Sequence, residues 1–344
     1  MTQSRAAMLI MLVAVLCFFV GDWFTVQAAK SLTVNQTLFI RLLIGLIAVY
    51  GFLFYRRKKV VYQNVFSSVV LLRSIAYTFA IYCFAASFAI SEEMTSVYVI
   101  SFLWPFIMFC MLVAFSYIPD TVLSSIGAKR RPDDEAERGS KTASILINCM
   151  MFIGILIYYW PRIASQPLFF LTWDGLRSLG TAVGYASLIA IGTLIPSAVG
   201  AFDKLISALI VSFVVFSVLS ALEVTHGIPV LNAAAIPGQL TSIALALNVR
   251  ELIFPLGSAF IAGILSTLGF IFLTEAMTRG EAERVAPLDY CAIIISAVWT
   301  IGYERLWPSI PQWVGICVIL LGAAMLIIMP KDGWDLRLFR RHHK

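Results

Sequence analysis

Charged residues inside long apolar segments are the first candidates for chemistry in this sequence. A charge within a lipid bilayer costs about 2.5–3.5 kcal/mol on insertion scales, so such a side chain normally faces a partner or a water-filled cavity. Paired charges at such depths can hold helices together, bind a charged solute or carry a proton. The residues of this kind are Asp22, Arg41, Arg73, Glu275 and Asp289.

Their depths along the segments predict two groups. At 1.5 Å per residue, Asp22 and Arg41 each lie about 8 Å from the same side of the membrane, which predicts an ion pair that gates this side. Arg73, Glu275 and Asp289 are expected to share an inner layer, toward the opposite side, that gates that side. The alternatives are a static bridge between helices or, for Glu275, snorkelling toward the lipid head groups. Asp289 is also a candidate proton site or contact for an ammonium group.

Aromatic residues form the second candidate set, because Trp and Tyr in membrane proteins usually lie at the two interfaces. Here many lie within the apolar segments. The rings predicted to line a cavity, together with the Asp289 carboxylate, are Trp23, Tyr77, Tyr82, Tyr98, Trp104, Tyr290 and Trp299. Such walls suit a flat, amphipathic or cationic solute. The alternative for each ring is ordinary packing in the protein interior or against lipid.

The amino-acid composition excludes most other classes of protein. The chain has 344 residues, of which 60% are hydrophobic and 13% charged, with a mean hydropathy of +0.90. A soluble domain has about twice this share of charge. A disordered chain, a disulfide-stabilised secreted module and an ordinary cytosolic enzyme are therefore excluded, and a polytopic membrane protein remains.

A helix needs about 20 apolar residues to cross the hydrocarbon core of a bilayer. The sequence contains ten such segments and no alternating pattern of β-strands, which predicts an all-α polytopic fold. The predicted spans are 7–27, 36–55, 66–90, 94–117, 142–160, 179–201, 205–223, 252–277, 283–303 and 310–329.

The basic residues predict the orientation of these spans. With the N-terminus in the cytoplasm, 18 of the 25 Lys and Arg residues lie in inner segments and five in outer ones. This asymmetry is typical of cytoplasmic loops. We therefore predict cytoplasmic N- and C-termini, and interpret the net charge of +6 as an orientation signal with no nucleic-acid partner.

Two connections are longer than the rest. Residues 118–141 form a mixed-charge linker, predicted to be a cytoplasmic tether. Residues 224–251 form an outer loop that either lies on the membrane surface or caps an outer opening. A basic cytoplasmic tail follows at 331–344.

The spans divide into five plus five. A helix, a very short turn and a second helix occur around Ala86–Ser96 and again around Ala276–Ala286. A unit with an odd number of spans enters its second copy from the opposite side, so the halves 1–160 and 161–330 are predicted inverted repeats. Such halves place a substrate site near the membrane midplane and permit alternating access.

The last 65 residues resemble the end of the second EamA repeat, which defines the drug/metabolite transporter superfamily. The resemblance is carried by the stretch Ala286–Tyr290 and by Gly302, Glu304, Pro308, Gly315 and Gly322. The segment Phe102–Pro105 is similar to the Leu-Trp-Pro of bacterial aromatic amino-acid exporters in that superfamily. This resemblance implies a carrier with a central cavity that does not hydrolyse nucleotides.

The expected function is secondary transport of a small organic metabolite across the cytoplasmic (inner) membrane. The resemblance favours export of an amino acid; relatives carry S-adenosylmethionine, nucleotide sugars or vitamins. A coupling proton and a homodimer through glycines of the tenth helix are further expectations. No P-loop, metal-ligand cluster or hydrolase motif is present, so neither enzymatic activity nor a cofactor is expected. The rival classes are an intramembrane enzyme and a membrane scaffold.

Overall fold

The computed structural model describes residues 3–57, 59–90, 94–118, 120–125, 138–166, 172–196, 199–226, 249–279 and 286–328. Every regular element in these ranges is helical. The α-helices are α1 (Gln3–Ala29), α2 (Val34–Tyr55), α3 (Tyr62–Val65), α4 (Ser68–Ile90), α5 (Met94–Ser101), α6 (Trp104–Ser116), α7 (Asp120–Ser125), α8 (Arg138–Ser165), α9 (Trp173–Thr193), α10 (Ala201–His226), α11 (Val249–Arg279), α12 (Cys291–Trp299) and α13 (Ile310–Ile328). A 3₁₀ segment, Ala286–Tyr290, precedes α12, and a π segment, Thr300–Glu304, follows it.

The predicted all-α polytopic membrane fold is confirmed. In the ranges described, five helices are long and apolar enough to cross a membrane, namely α1, α2, α4, α10 and α11. Shorter apolar stretches lie at 95–108, 149–165 and 310–325. Lipid offers no hydrogen-bond partners to the backbone, so a segment that crosses the membrane forms a helix, which satisfies these groups internally.

Three predicted spans differ from the structure. The fourth is broken at Phe102–Leu103, just before Pro105 in the first turn of α6. Proline has no backbone N–H and its ring collides with the preceding turn, so a continuous helix is interrupted there. The ninth span is split into 3₁₀, α and π segments.

The sixth span begins and ends earlier than predicted. It was expected at 179–201, whereas α9 covers Trp173–Thr193. Thr172 caps its N-terminus by accepting a hydrogen bond from the Gly175 amide at 3.3 Å. The helix ends before Pro196, so the apolar run that follows it was wrongly included in the span.

The longer connections are described only in part. Within the predicted linker 118–141, residues 120–125 form α7 and residues from 138 onward belong to α8. Because α8 continues to Ser165, the predicted boundary at residue 160 falls inside a helix. Most of the outer loop, residues 227–248, and the basic tail 331–344 lie outside the described residues.

The helices pack in a small set of pairs. Helix α1 lies along α11, α4 along α9, and α8 along α13. Helices α2 and α10 pack on each other; α2 also contacts α11, and α10 also contacts α4. The broken spans meet as well, since α5 contacts α12.

The pair α8–α13 shows how closely these helices approach. A methyl group added at Gly154 would meet the Ile319 side chain at 3.0 Å, and one added at Gly322 would collide with Met151. Gly315 faces the backbone of Gly154. The glycines of the tenth span are therefore used inside this chain, so the surface that we expected them to offer a second copy is already occupied by α8.

Candidate functional site

The structure places Asp22 of α1 and Arg41 of α2 in direct contact. Arg41 Nη2 lies 3.2 Å from Asp22 Oδ1, and the two side chains are 13% and 7% exposed. The two antiparallel helices are joined by a short turn, which brings residues at similar distances from that turn side by side. This is the pairing that the depths predicted, although a gating role remains a proposal.

Further hydrogen bonds fix both members of this ion pair. Tyr98 of α5 donates to Asp22 Oδ2 at 2.9 Å. Arg41 Nη1 donates to Thr25 Oγ1 at 2.9 Å, and Thr25 in turn donates to the Gly21 carbonyl. Charge-assisted hydrogen bonds of this kind are short and strong in a medium of low polarity. The cluster therefore links α1, α2 and α5 at one buried point.

Asp289 lies near this cluster, which differs from the predicted layers. Its carboxylate and that of Asp22 are close enough to interact electrostatically. The sequence-based depth placed Asp289 toward the opposite side because it assumed a continuous ninth helix that begins at the membrane surface. In the part of the chain that the structure describes, Asp289 forms no ion pair.

Arg73 and Glu275, the other two residues of the predicted inner layer, lie outside the Asp22–Arg41 cluster, near the start of α10 and the end of α11 respectively. Arg73 Nη1 donates to the Lys204 backbone carbonyl of α10 at 3.4 Å. Tyr77, one turn further along α4, lies within electrostatic range of Arg73, Arg41 and Asp22. Glu275 is half-buried near the end of α11. The gating roles of Arg73 and Glu275 therefore remain predictions.

Five of the predicted aromatic residues belong to one apolar cluster, namely Trp23, Tyr98, Trp104, Tyr290 and Trp299. The rings of Trp23 and Trp299 lie 5.5 Å apart between centroids, and Phe19 lies 5.9 Å from Tyr98. Tyr290 stacks on Phe102 at 4.6 Å. Trp104, also predicted, packs at the edge of the same cluster.

The remaining two predicted rings belong to a different cluster, formed by α2, α4 and α10. Tyr77 contacts Phe270 at 5.6 Å, and Tyr82 stacks on Phe216 at 6.3 Å between centroids. The predicted rings therefore belong to two separate clusters. Tyr77 lies near the boundary between them, because its phenol is within electrostatic range of Asp22 and Arg41.

Sequence reasoning missed Thr25, Phe19 and Phe84. Thr25 follows Asp22 by three residues, a spacing that places both on one face of a helix, so this signal was present. Phe19 has the same spacing from Asp22 on the other side. Phe84 packs edge-on against Tyr98, with centroids 5.7 Å apart, and no local pattern distinguishes it from the other phenylalanines of α4.

Two buried polar atoms in the aromatic cluster have no hydrogen-bond partner in the described residues. They are the Tyr290 hydroxyl and the Trp299 indole Nε1. Buried polar groups are nearly always satisfied, so unsatisfied ones indicate a place where water or a ligand binds. Within the same ranges, no group of three or more His, Cys, Asp or Glu side chains could hold a metal ion.

Comparison with known proteins adds a family match for the second half. Residues 198–328 match the EamA-like transporter family. This EamA-like region begins just before α10 and ends with α13, so it contains Asp289, Tyr290 and Trp299. Members of this family are membrane transporters of small solutes rather than enzymes.

Two further comparisons bear on the whole chain. A crystal structure of another protein is similar over 99% of this chain and 100% of its own, with 14% identity and a TM-score of 0.53. At this identity the likeness concerns the fold alone. No curated protein matches the sequence.

Proposed function

We propose that this protein is a secondary transporter that exports an amino acid or a related small metabolite across the cytoplasmic membrane by alternating access. Its ten spans form two inverted five-helix halves, and both termini lie in the cytoplasm. The solute binds between the Asp22–Arg41 pair, Asp289 and the aromatic cluster.

The helix pairings support the inverted halves. When each span is replaced by the one five places further along, the pair α1–α11 becomes α9–α4, and α2–α11 becomes α10–α4, all of which are present. The pairs α2–α10 and α8–α13 convert into themselves. The contacts of Gly154 with Ile319 and of Met151 with Gly322 are related in the same way.

The observation that carries the substrate class is the set of charges beneath the aromatic cluster. Arg41 is a bidentate donor suited to a carboxylate, and Asp289 is an acid without an ion-pair partner in the described residues. The unsatisfied Tyr290 hydroxyl and Trp299 Nε1 lie among the rings. A zwitterion with an apolar or aromatic side chain matches all three features.

Competition for Arg41 explains how binding drives the conformational change. The carboxylate of the solute replaces Asp22 on the guanidinium, which loosens the link between α1 and α2. A ligand shifts an equilibrium only through a difference in affinity between the two states. The state in which Asp22 and Arg41 are separated is therefore the one that the solute stabilises.

The first experiment is a thermal-shift screen of the purified protein. The panel contains amino acids, their N-acetyl derivatives, S-adenosylmethionine, nucleotide sugars and vitamins. We expect a dose-dependent rise in melting temperature with a free amino acid and little or none with its N-acetyl derivative, because acetylation removes the ammonium group that Asp289 contacts. An equal rise with both would contradict the assigned role of Asp289.

The second experiment is counterflow in proteoliposomes with the solute found by the screen. Wild-type protein should exchange labelled solute and return it with unchanged mass, whereas an enzyme would alter its mass and a scaffold would not move it. Asp289→Asn should lose most of the exchange. Asp203→Asn, which alters a buried acid at the start of α10, should retain more than Asp289→Asn.

A further inference from the structure

Another buried acid, Glu223, lies in the last turn of α10 and outside the Asp22–Arg41 cluster. Glu223 is only 7% exposed. Thr33 Oγ1 donates to Glu223 Oε2 at 2.6 Å, and Asn35 Nδ2 donates to Oε1 at 2.6 Å. Thr33 is the N-cap of α2, and its reciprocal bonds with Gln36 fix it at the helix start. The first turn of α2 therefore holds Glu223 in place.

In the described residues, Glu223 forms no ion pair with a cation. The titratable groups facing this end from α4 are Tyr82 and Cys83, and Tyr82 also interacts with Arg177 of α9. The first titratable side chains of α11 at this end lie outside the description, and Glu275 and Tyr62 belong to the opposite end of the bundle. Hydrogen bonds to neutral donors compensate only partly for burying a carboxylate charge.

The position of Glu223 within α10 adds to this cost. The C-terminal end of a helix carries a partial negative charge, which destabilises an anion in the last turn. Asp203, in the first turn of the same helix, is in the opposite situation. It accepts hydrogen bonds from the Val61 amide at 3.2 Å and from Asn64 Nδ2 at 3.1 Å, and the helix dipole favours its charge.

Unpartnered hydroxyl groups lead inward from Glu223. On α2, Thr37 lies one turn beyond Thr33, and Arg41 one turn beyond Thr37, so the three share a face. On α10, Ser220 lies one turn inward from Glu223. The contact between Thr33 and Glu223 sets the register of these antiparallel helices, which places Thr37 and Ser220 at similar levels, one turn inward from it. Their Oγ atoms have no hydrogen-bond partner in the described ranges, and the residues are 0% and 9% exposed.

We infer that Glu223 is a proton-binding site, and that Thr37 and Ser220 connect it to the Asp22–Arg41 pair. A proton from the nearby aqueous side, the predicted outer side, binds one Glu223 carboxylate oxygen and later leaves it, with no other covalent change. The buried hydroxyls and intervening water carry the change to Arg41. This inference rests on the proposed transport function and gives its coupling ion a binding site.

Infrared spectroscopy of the protein in lipid tests proton binding without any substrate. A protonated carboxylic acid has a carbonyl-stretch band that a carboxylate lacks. The difference between wild type and Glu223→Gln should contain this band, and the band should disappear as the pH is raised. In Asp203→Asn the band should remain as in wild type. If the band is absent from the difference spectrum, or does not titrate, the inference is wrong.

A second variant covers the case in which Glu223→Gln does not fold. Glu223→Asp keeps the carboxyl group but shortens it by one methylene, so it cannot reach both donors in the same geometry. The band should persist at a shifted frequency. An unchanged frequency would show that the band arises from another group and would overturn the assignment.

Transport then separates the inference from the function on which it rests. With the solute identified above, Glu223→Gln should retain counterflow exchange but lose accumulation driven by a pH gradient. Equal accumulation by wild type and Glu223→Gln would overturn the coupling role. If wild type moves no solute, the proposed function fails, while the infrared result still decides whether Glu223 binds a proton.

Discussion

The interfaces α1–α11 and α4–α9 are built alike but differ in chemistry. Each has a glycine packed against the facing helix, followed at once by a polar residue: Gly21 and Asp22 on α1, Gly184 and Tyr185 on α9. A methyl group at Gly21 would meet Ser266 Oγ at 3.0 Å, and one at Gly184 would meet Ala80 Cβ at 2.7 Å.

This difference indicates which features of the two halves are shared. Close packing through a small residue recurs because without it the two backbones could not approach, whatever the side chains do. The residue that follows the glycine is charged in only one of the two interfaces, Asp22 on α1. Tyr185 lies within electrostatic range of Asp22, Arg41 and Asp289, so the two interfaces converge on one site with an acid from one and a neutral phenol from the other.

Disrupting the Asp22–Arg41 ion pair should have the largest effect of the variants that test this difference between the two interfaces. Asp22→Ala and Arg41→Ala should each lower the free energy of unfolding by roughly 3–5 kcal/mol, because each leaves a buried charge without its partner. The double variant should recover part of this loss. Denaturation in detergent measures stability, and counterflow should be lost in all three. Normal transport by both single variants would contradict a role in gating.

The loss of stability when each glycine is replaced by alanine should be larger where the added methyl group lies closer to a neighbouring atom. Gly184→Ala should cost about 1–3 kcal/mol, because the new methyl group meets the α4 backbone, which cannot move aside. Gly21→Ala should cost less, since the Ser266 hydroxyl can rotate away. Gly51→Ala is the control, because nothing lies within 4 Å of its added methyl group. Thermal unfolding would measure the order, and equal losses at Gly184 and Gly51 would contradict it.

The smallest expected change in stability comes from removing the hydroxyl groups of Tyr98 and Tyr185. Tyr98→Phe removes the hydrogen bond to Asp22 and should cost roughly 1–2 kcal/mol. Tyr185→Phe removes a hydroxyl whose contacts with the site are electrostatic and should change stability by less than about 0.5 kcal/mol. Paired unfolding measurements test this. A larger loss at Tyr185 than at Tyr98 would show that the neutral side also holds the site together.

The ion pair and part of the aromatic cluster were predictable because both follow from local spacing. Asp22 and Arg41 lie at similar distances from a single turn, so one-dimensional depth was enough to pair them. The position of Asp289 was not predictable in this way, because it depends on how the ninth span is divided into 3₁₀, α and π segments. Glu223 was missed since its partners, Thr33 and Asn35, lie almost 190 residues away in the chain.

The sequence by itself determined the membrane class, the order of the spans and the resemblance to EamA-like transporters. Hydrophobicity and helix length are properties of continuous segments, so they are readable along the chain. Only the tertiary structure decided that Asp289 lies near the Asp22–Arg41 pair and that Glu223 meets Thr33 and Asn35, because these contacts depend on helix breaks and on the rotation of each helix about its axis. The 3₁₀ segment that carries Asp289 packs against α1, which carries Asp22, and no local pattern encodes that contact.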